Sequence, residues 1–217
     1  MIRDWILELL FPSKCVFCRK LLSKQETEMC SHCRAALPYC DNRSLAVGYA
    51  KTTIAALYYE DTVRRAVIRY KFHGAVSYAA PFGRLLAMSL IENGVPFDII
   101  TYAPVSRRRR RKRGYDQAEL LAREVSRELG IPMDRLLEKQ RDNPKQSGIS
   151  SPDARRANVL GVYRAVNTDL LYGKNILIID DVLTTGATLG ECCRTLLDAG
   201  AAQVSCGTFA AVRKNSQ

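Results

Sequence analysis

Apolar residues recur along this 217-residue chain at two spacings that take turns: every third or fourth position, then consecutive or alternate positions. Ile2, Trp5, Ile6, Leu9 and Leu10 predict a short amphipathic helix ahead of Pro12. Thr53 to Tyr59 predicts a strand. Val63, Ala66, Val67 and Tyr70 then mark one helix face, and Phe82, Leu85, Leu86 and Leu90 mark a second. A short strand over Asp98 to Ala103 runs into Pro104. Ala118, Leu121, Ala122, Val125 and Leu129 predict an amphipathic helix stopped by Gly130 and Pro132. Ile176 to Ile179 is a fully apolar strand; Leu189, Cys192, Cys193, Leu196 and Leu197 define the next helix, ended by Gly200; Gln203 to Val212 predicts a last strand. Such alternation predicts an α/β fold on a mostly parallel, doubly wound sheet, which holds ligands at the carboxyl ends of its strands. The one long stretch without a period is Gln140 to Asn158, broken by Pro144 and Pro152.

Composition bounds this picture. Hydrophobic residues make up 47% of the chain, enough for one full-sized domain and a small appendage. No apolar run approaches the ~20 residues that span a bilayer, so no membrane insertion is expected. The amino terminus carries Asp4 and Glu8 within its apolar part and does not read as a signal peptide, so a cytoplasmic protein is expected. Lys and Arg outnumber Asp and Glu by 33 to 22, a formal charge of +11, which attracts polyanions. Seven cations stand in a row: Arg107, Arg108, Arg109, Arg110, Arg111, Lys112 and Arg113. A run of this kind is ordinarily a solvated face or a mobile loop. Tyr102 and Tyr115 flank it and offer rings on which bases could stack, so single-stranded nucleic acid is a candidate partner.

Five of the eight cysteines fall within the first 40 residues. Cys15 and Cys18, then Cys30 and Cys33, form two CxxC knuckles separated by eleven residues, the spacing of a tetrahedral thiolate site for structural Zn²⁺. A pair of redox CxxC motifs is the alternative. Cys40 has no CxxC partner, so a second metal site is not expected. The chemistry changes after about residue 45, which divides the chain into a helix-plus-zinc module over 1–45 and an α/β domain over 46–217. Cys192, Cys193 and Cys206 lie on apolar faces and read as core.

The stretch ILIIDDVLTTGAT, Ile176 to Thr188, concentrates the candidate chemistry. A buried strand delivers Asp180 and Asp181; Val182 and Leu183 follow; Thr184, Thr185, Gly186, Ala187 and Thr188 lead into a helix. Loop N–H groups and the helix dipole can hold a phosphate dianion there, and Gly186 lets the backbone approach it. The carboxylates suit ribose hydroxyls or a Mg²⁺ ion near them.

This stretch resembles the PRPP motif of type I phosphoribosyltransferases. With YKFHG at 70–74, RGYDQA at 113–118, KQSG at 145–148 and RRANV at 155–159, the chain is identified as a member of the ComF family of competence-associated proteins. The resemblance implies a type I phosphoribosyltransferase fold joined to a small amino-terminal zinc-binding module. It implies that Asp180 and Asp181 bind the ribose hydroxyls of PRPP, that Thr184 to Thr188 wrap its 5′-phosphate, and that Ala103, Pro104, Val105, Ser106 and Arg107 form the pyrophosphate loop. The segment from Arg107 to Gln117 corresponds to a mobile loop that closes over the site. Where transfer occurs, Mg²⁺ and cations such as Arg107 and Lys71 would stabilise the departing pyrophosphate. The chain departs from the family at Asp116, commonly Asn. No residue stands out as a general base; His73 is a candidate, though a lone His is more often structural or solvent-facing. The resemblance further implies single-stranded DNA and other competence proteins as partners in natural transformation; the charge run offers Arg108 to Arg113, with Tyr115, as the residues to contact a strand. The alternative function is a metabolic phosphoribosyltransferase acting on a small base or amine.

Overall fold

The computed structural model describes residues 12–141 and 160–213. The predicted helix over 2–10, the KQSG and RRANV stretches and most of the aperiodic segment lie outside the described residues.

Four parallel strands form the central sheet, in the order β1 (Thr53–Tyr58), β6 (Gln203–Ala211), β5 (Asn175–Leu183) and β2 (Ile99–Tyr102). Parallel strands are covered on both faces, and β5 shows why its apolar run is continuous. Its side chains alternate: Leu177 and Ile179 join one buried cluster, Ile176 and Ile178 the other. The first cluster contains residues of helices α2 (Asp61–Phe72), α3 (Ala79–Glu92) and α5 (Gln117–Leu129). The second contains residues of α7 (Ala187–Asp198). Burial of each such side chain contributes roughly 1.5–3 kcal/mol. Every residue named above as marking the α2 and α3 faces is buried, and Gly130 ends α5 at φ 67°.

Strand β5 runs further than its apolar stretch predicts. Pairing with β6 continues through Asp180↔Thr208 to Leu183↔Ala211, so both carboxylates stand inside the strand. The same alternation then sends them to opposite faces.

Three features lie beyond the hydrophobic pattern. The cation run is a helix, α4 (Arg107–Arg113), instead of a loop. Ser106 caps it, its Oγ accepting from the Arg109 N–H at 3.3 Å, and Gly114 ends it at φ 83°. Arginine is a good helix former, and Arg110–Glu119 (3.1 Å) and Arg107–Glu138 (2.8 Å) relieve part of its self-repulsion. Strands β3 (Leu137–Lys139) and β4 (Tyr163–Ala165) form a separate antiparallel pair, followed by the short helix α6 (Thr168–Leu171).

The cysteine-rich segment, with its own short helix α1 (Ser31–Ala36), packs on the face of the sheet that α3 covers. Cys15, Phe17, Met29, Cys30 and Leu37 belong to the same buried cluster as Phe82 and Phe209. Arg69 of α2 donates from Nη2 to the carbonyls of Val16 (2.8 Å) and Phe17 (2.7 Å), tying the first knuckle to the domain.

Candidate functional site

At the carboxyl ends of β5 and β2 lies a cleft of about 370 Å³. One wall is the turn from β5 into α7, with Thr184, Thr185 and Gly186. Gly186 is the α7 N-cap at φ 77° and offers no side-chain acceptor, which leaves the start of a twelve-residue helix to an anion. An added Cβ at Gly186 would sit 3.3 Å from Val47 Cγ2, so the backbone is closely backed as well as left-handed. The floor is Asp180 and Asp181 with Ala103, Pro104 and Val105 from the end of β2.

The two aspartates differ sharply in surroundings. Asp181 pairs with Lys71 of α2 at 2.8 Å. Burial works against the Lys71 charge, but Asp181 and then Asp180 hold it above the usual lysine range. Asp180 faces the β4 and α7 side. Burial, reinforced by the Asp181 carboxylate, pushes it up to about 8 although Lys71 opposes the rise. An added cation would relieve that crowding, so Asp180 fits ribose hydroxyls with a hard ion such as Mg²⁺ beside it.

Asp116, the departure from the family, is buried and structural. Its Oδ2 accepts from the Val105 N–H at 2.8 Å, and its Oδ1 accepts from Ala118 and Glu119 at the start of α5. One carboxylate thus fixes the 103–105 segment to a helix cap. Burial raises its pKa, and the donated N–H groups oppose that rise.

The predicted site residues do not all meet. Lys71, Pro104, Val105 and every residue from Asp180 to Thr188 line the cleft. Ser106 does not; it is buried as the α4 cap. Arg107 points away, to Glu138, with 84% of its side chain exposed. Besides Lys71, the cations that reach the cleft are Arg109 and Arg113, one helical turn apart on α4, and Lys139 of β3. Tyr59 and Tyr163 complete the lining. Lys139 Nζ lies 3.3 Å from the Tyr163 hydroxyl, and burial lifts that phenol well above its ordinary pKa. Nothing in the run singles out Arg109 and Arg113, since 107/111 and 108/112 share their i, i+4 spacing; Lys139 and Tyr163 sit in three-residue strands with no period to reveal them.

The flanking tyrosines do not present free rings. Tyr102 is 4% exposed, and the half-buried Tyr115 donates its hydroxyl to the Tyr70 carbonyl at 2.5 Å. The exposed ring beside α4 is Phe72, with the Arg113 guanidinium 4.8 Å above its centroid. His73 caps the end of α2 in solvent, outside the cleft.

A second site is the cysteine cluster. The sulfurs of Cys15, Cys18, Cys30 and Cys33 all lie within 4.8 Å of one another, with Cys18 and Cys30 at 3.7 Å. Zn–S bonds of about 2.3 Å in a tetrahedron place sulfurs roughly 3.8 Å apart, so the four fit one Zn²⁺. Burial alone would raise the Cys15 thiol, but the N–H groups of Cys18, Cys30 and Phe17 bring it to about 7. Burial and the neighbouring sulfurs push Cys33 up instead. Four crowded thiols do not ionise together without a cation among them. Among the described residues these four form the one group of three or more Cys, His, Asp or Glu side chains whose ligand atoms come this close.

A parallel sheet with an acidic strand end, a glycine-capped helix start and a four-cysteine brace defines a phosphoribosyltransferase-fold protein with a zinc ribbon. Residues 115–217 match the family model described as Phosphoribosyl transferase domain, and residues 6–53 match Double zinc ribbon domain. Over most of its length the chain is similar to proteins named for competence and DNA utilization. It is 27% identical over 219 residues to Competence protein F of Haemophilus influenzae, covering 89% of this chain and 95% of that one. Identity to DNA utilization protein YhgH of Salmonella typhi is 27%, over 89% of this chain and 94% of the relative. Competence protein ComFC of Bacillus subtilis is 30% identical over 71% of this chain and 61% of its own length.

Proposed function

We propose that this protein binds PRPP with Mg²⁺ in the cleft between β5, β2 and α4, and that it serves the handling of single-stranded DNA in natural transformation. The observation that carries the first part is the meeting of Asp180, the 184–188 turn and the 103–105 segment around one cavity. The 5′-phosphate takes the N-terminus of α7, the ribose hydroxyls take Asp180 and Asp181, and the pyrophosphate takes the side where Arg109, Arg113 and Lys71 stand. Bound Mg²⁺ would neutralise pyrophosphate charge from the carboxylate side of the cleft. Lys71 fixes the Asp181 carboxylate in place, while Asp180 gives up its proton as the sugar binds. The cations of α4 would steady negative charge as pyrophosphate departs.

The DNA-linked reading is supported by the basic surface and by relatives named for competence and DNA utilization. These favour it over a metabolic phosphoribosyltransferase acting on a small base or amine. We further infer a cytoplasmic protein that works with other competence proteins; among the described residues no helix is long and apolar enough to cross a membrane.

A thermal-shift titration with PRPP and Mg²⁺ tests the reading. The wild type is expected to gain several degrees, and the Asp180→Ala/Asp181→Ala variant none. An equal gain by that variant rules the site out.

A further inference from the structure

Helix α4 divides its seven cations among three jobs. Arg107 and Arg110 are held by Glu138 and Glu119. Arg109 and Arg113 face the cleft. Arg108, Arg111 and Lys112 are exposed and have no ion-pair partner among the described residues. The helix is narrow, about 10–12 Å across with its side chains, which is comparable to the Debye length near 0.1 M salt. Any polyanion lying along the outer cations therefore feels the charge of Arg109 and Arg113 too. Phe72 extends the same surface: it is 61% exposed and lies under Arg113, a flat ring on which a base can stack.

We propose that a single strand of nucleic acid binds along Arg108, Arg111, Lys112 and Phe72, drawing also on Arg109 and Arg113, so that PRPP and the strand compete for those two cations. This rests on the function proposed above. A pyrophosphate group in the cleft neutralises Arg109 and Arg113, and the strand then loses two phosphate contacts. PRPP thereby acts as a release signal for the strand, and by reciprocity the strand weakens PRPP.

Fluorescence anisotropy of a labelled oligonucleotide, measured across salt at fixed Mg²⁺, tests this on the full zinc-loaded chain. Saturating PRPP is expected to weaken binding about tenfold near 0.1 M salt and to reduce the log–log salt slope by about 1.4, from 0.7 per phosphate contact on a single strand. Ribose 5-phosphate, which lacks the pyrophosphate, leaves the affinity unchanged. The Asp180→Asn/Asp181→Asn variant, unable to hold PRPP, loses the effect and so excludes simple chelation of Mg²⁺. Oligonucleotide binding indifferent to PRPP, strengthened by it, or weakened equally by ribose 5-phosphate overturns the competition while leaving the proposed function intact. No oligonucleotide binding at any salt overturns both.

Discussion

Asp180 and Asp181 are adjacent in sequence, yet one is tied to Lys71 across one face of the sheet and the other is left crowded on the opposite face. Asp180 thus becomes the titrating group of the cleft. Its folded value, about 8, lies above the ordinary carboxyl value near 4, so the fold favours the protonated form. Its contribution to stability is complete below about pH 4 and is lost as pH rises through about 8. The melting temperature of Asp180→Asn, relative to wild type, is therefore expected to climb between pH 5 and pH 8.5; a constant difference contradicts this. Gly186 makes a second test at this scale. Gly186→Ala places a Cβ on a left-handed residue 3.3 Å from Val47. It should cost about 1–2 kcal/mol by chemical denaturation and weaken PRPP binding at least tenfold.

At the scale of elements, what was legible in the sequence had a period. The two helices marked by Val63 to Tyr70 and Phe82 to Leu90, and the strand of Ile176 to Ile179, follow from apolar spacing alone. The α4 helix does not, because seven cations carry no apolar stripe; only its cap residues, Ser106 and Gly114, announce it. The Lys71–Asp181 pair is invisible for another reason: a contact between distant elements leaves no mark on local spacing. The same limit hid the brace between the zinc ribbon and α2, where Arg69 holds the carbonyls of Val16 and Phe17. Arg69→Met leaves both unpaired and should cost about 2–3 kcal/mol, with faster loss of zinc to a chromogenic chelator. Unchanged release kinetics would contradict the brace.

For the whole molecule, the ribbon and the α/β domain share one buried cluster, so metal and cleft belong to a single cooperative unit. Metal analysis should find one zinc per chain, and its removal should lower the melting temperature of the entire protein rather than melt a ribbon separately. The charge of +11 sits on a surface whose most basic helix borders the cleft. The proposed PRPP site depends on Asp180 and the α7 N-terminus. Calorimetric titration of PRPP with Mg²⁺, run near pH 7 in two buffers of different ionisation heat, tests it most directly. One site per chain, proton release as Asp180 ionises, and no binding by Asp180→Ala/Asp181→Ala are expected. Binding without proton release, or undiminished in that variant, would contradict it.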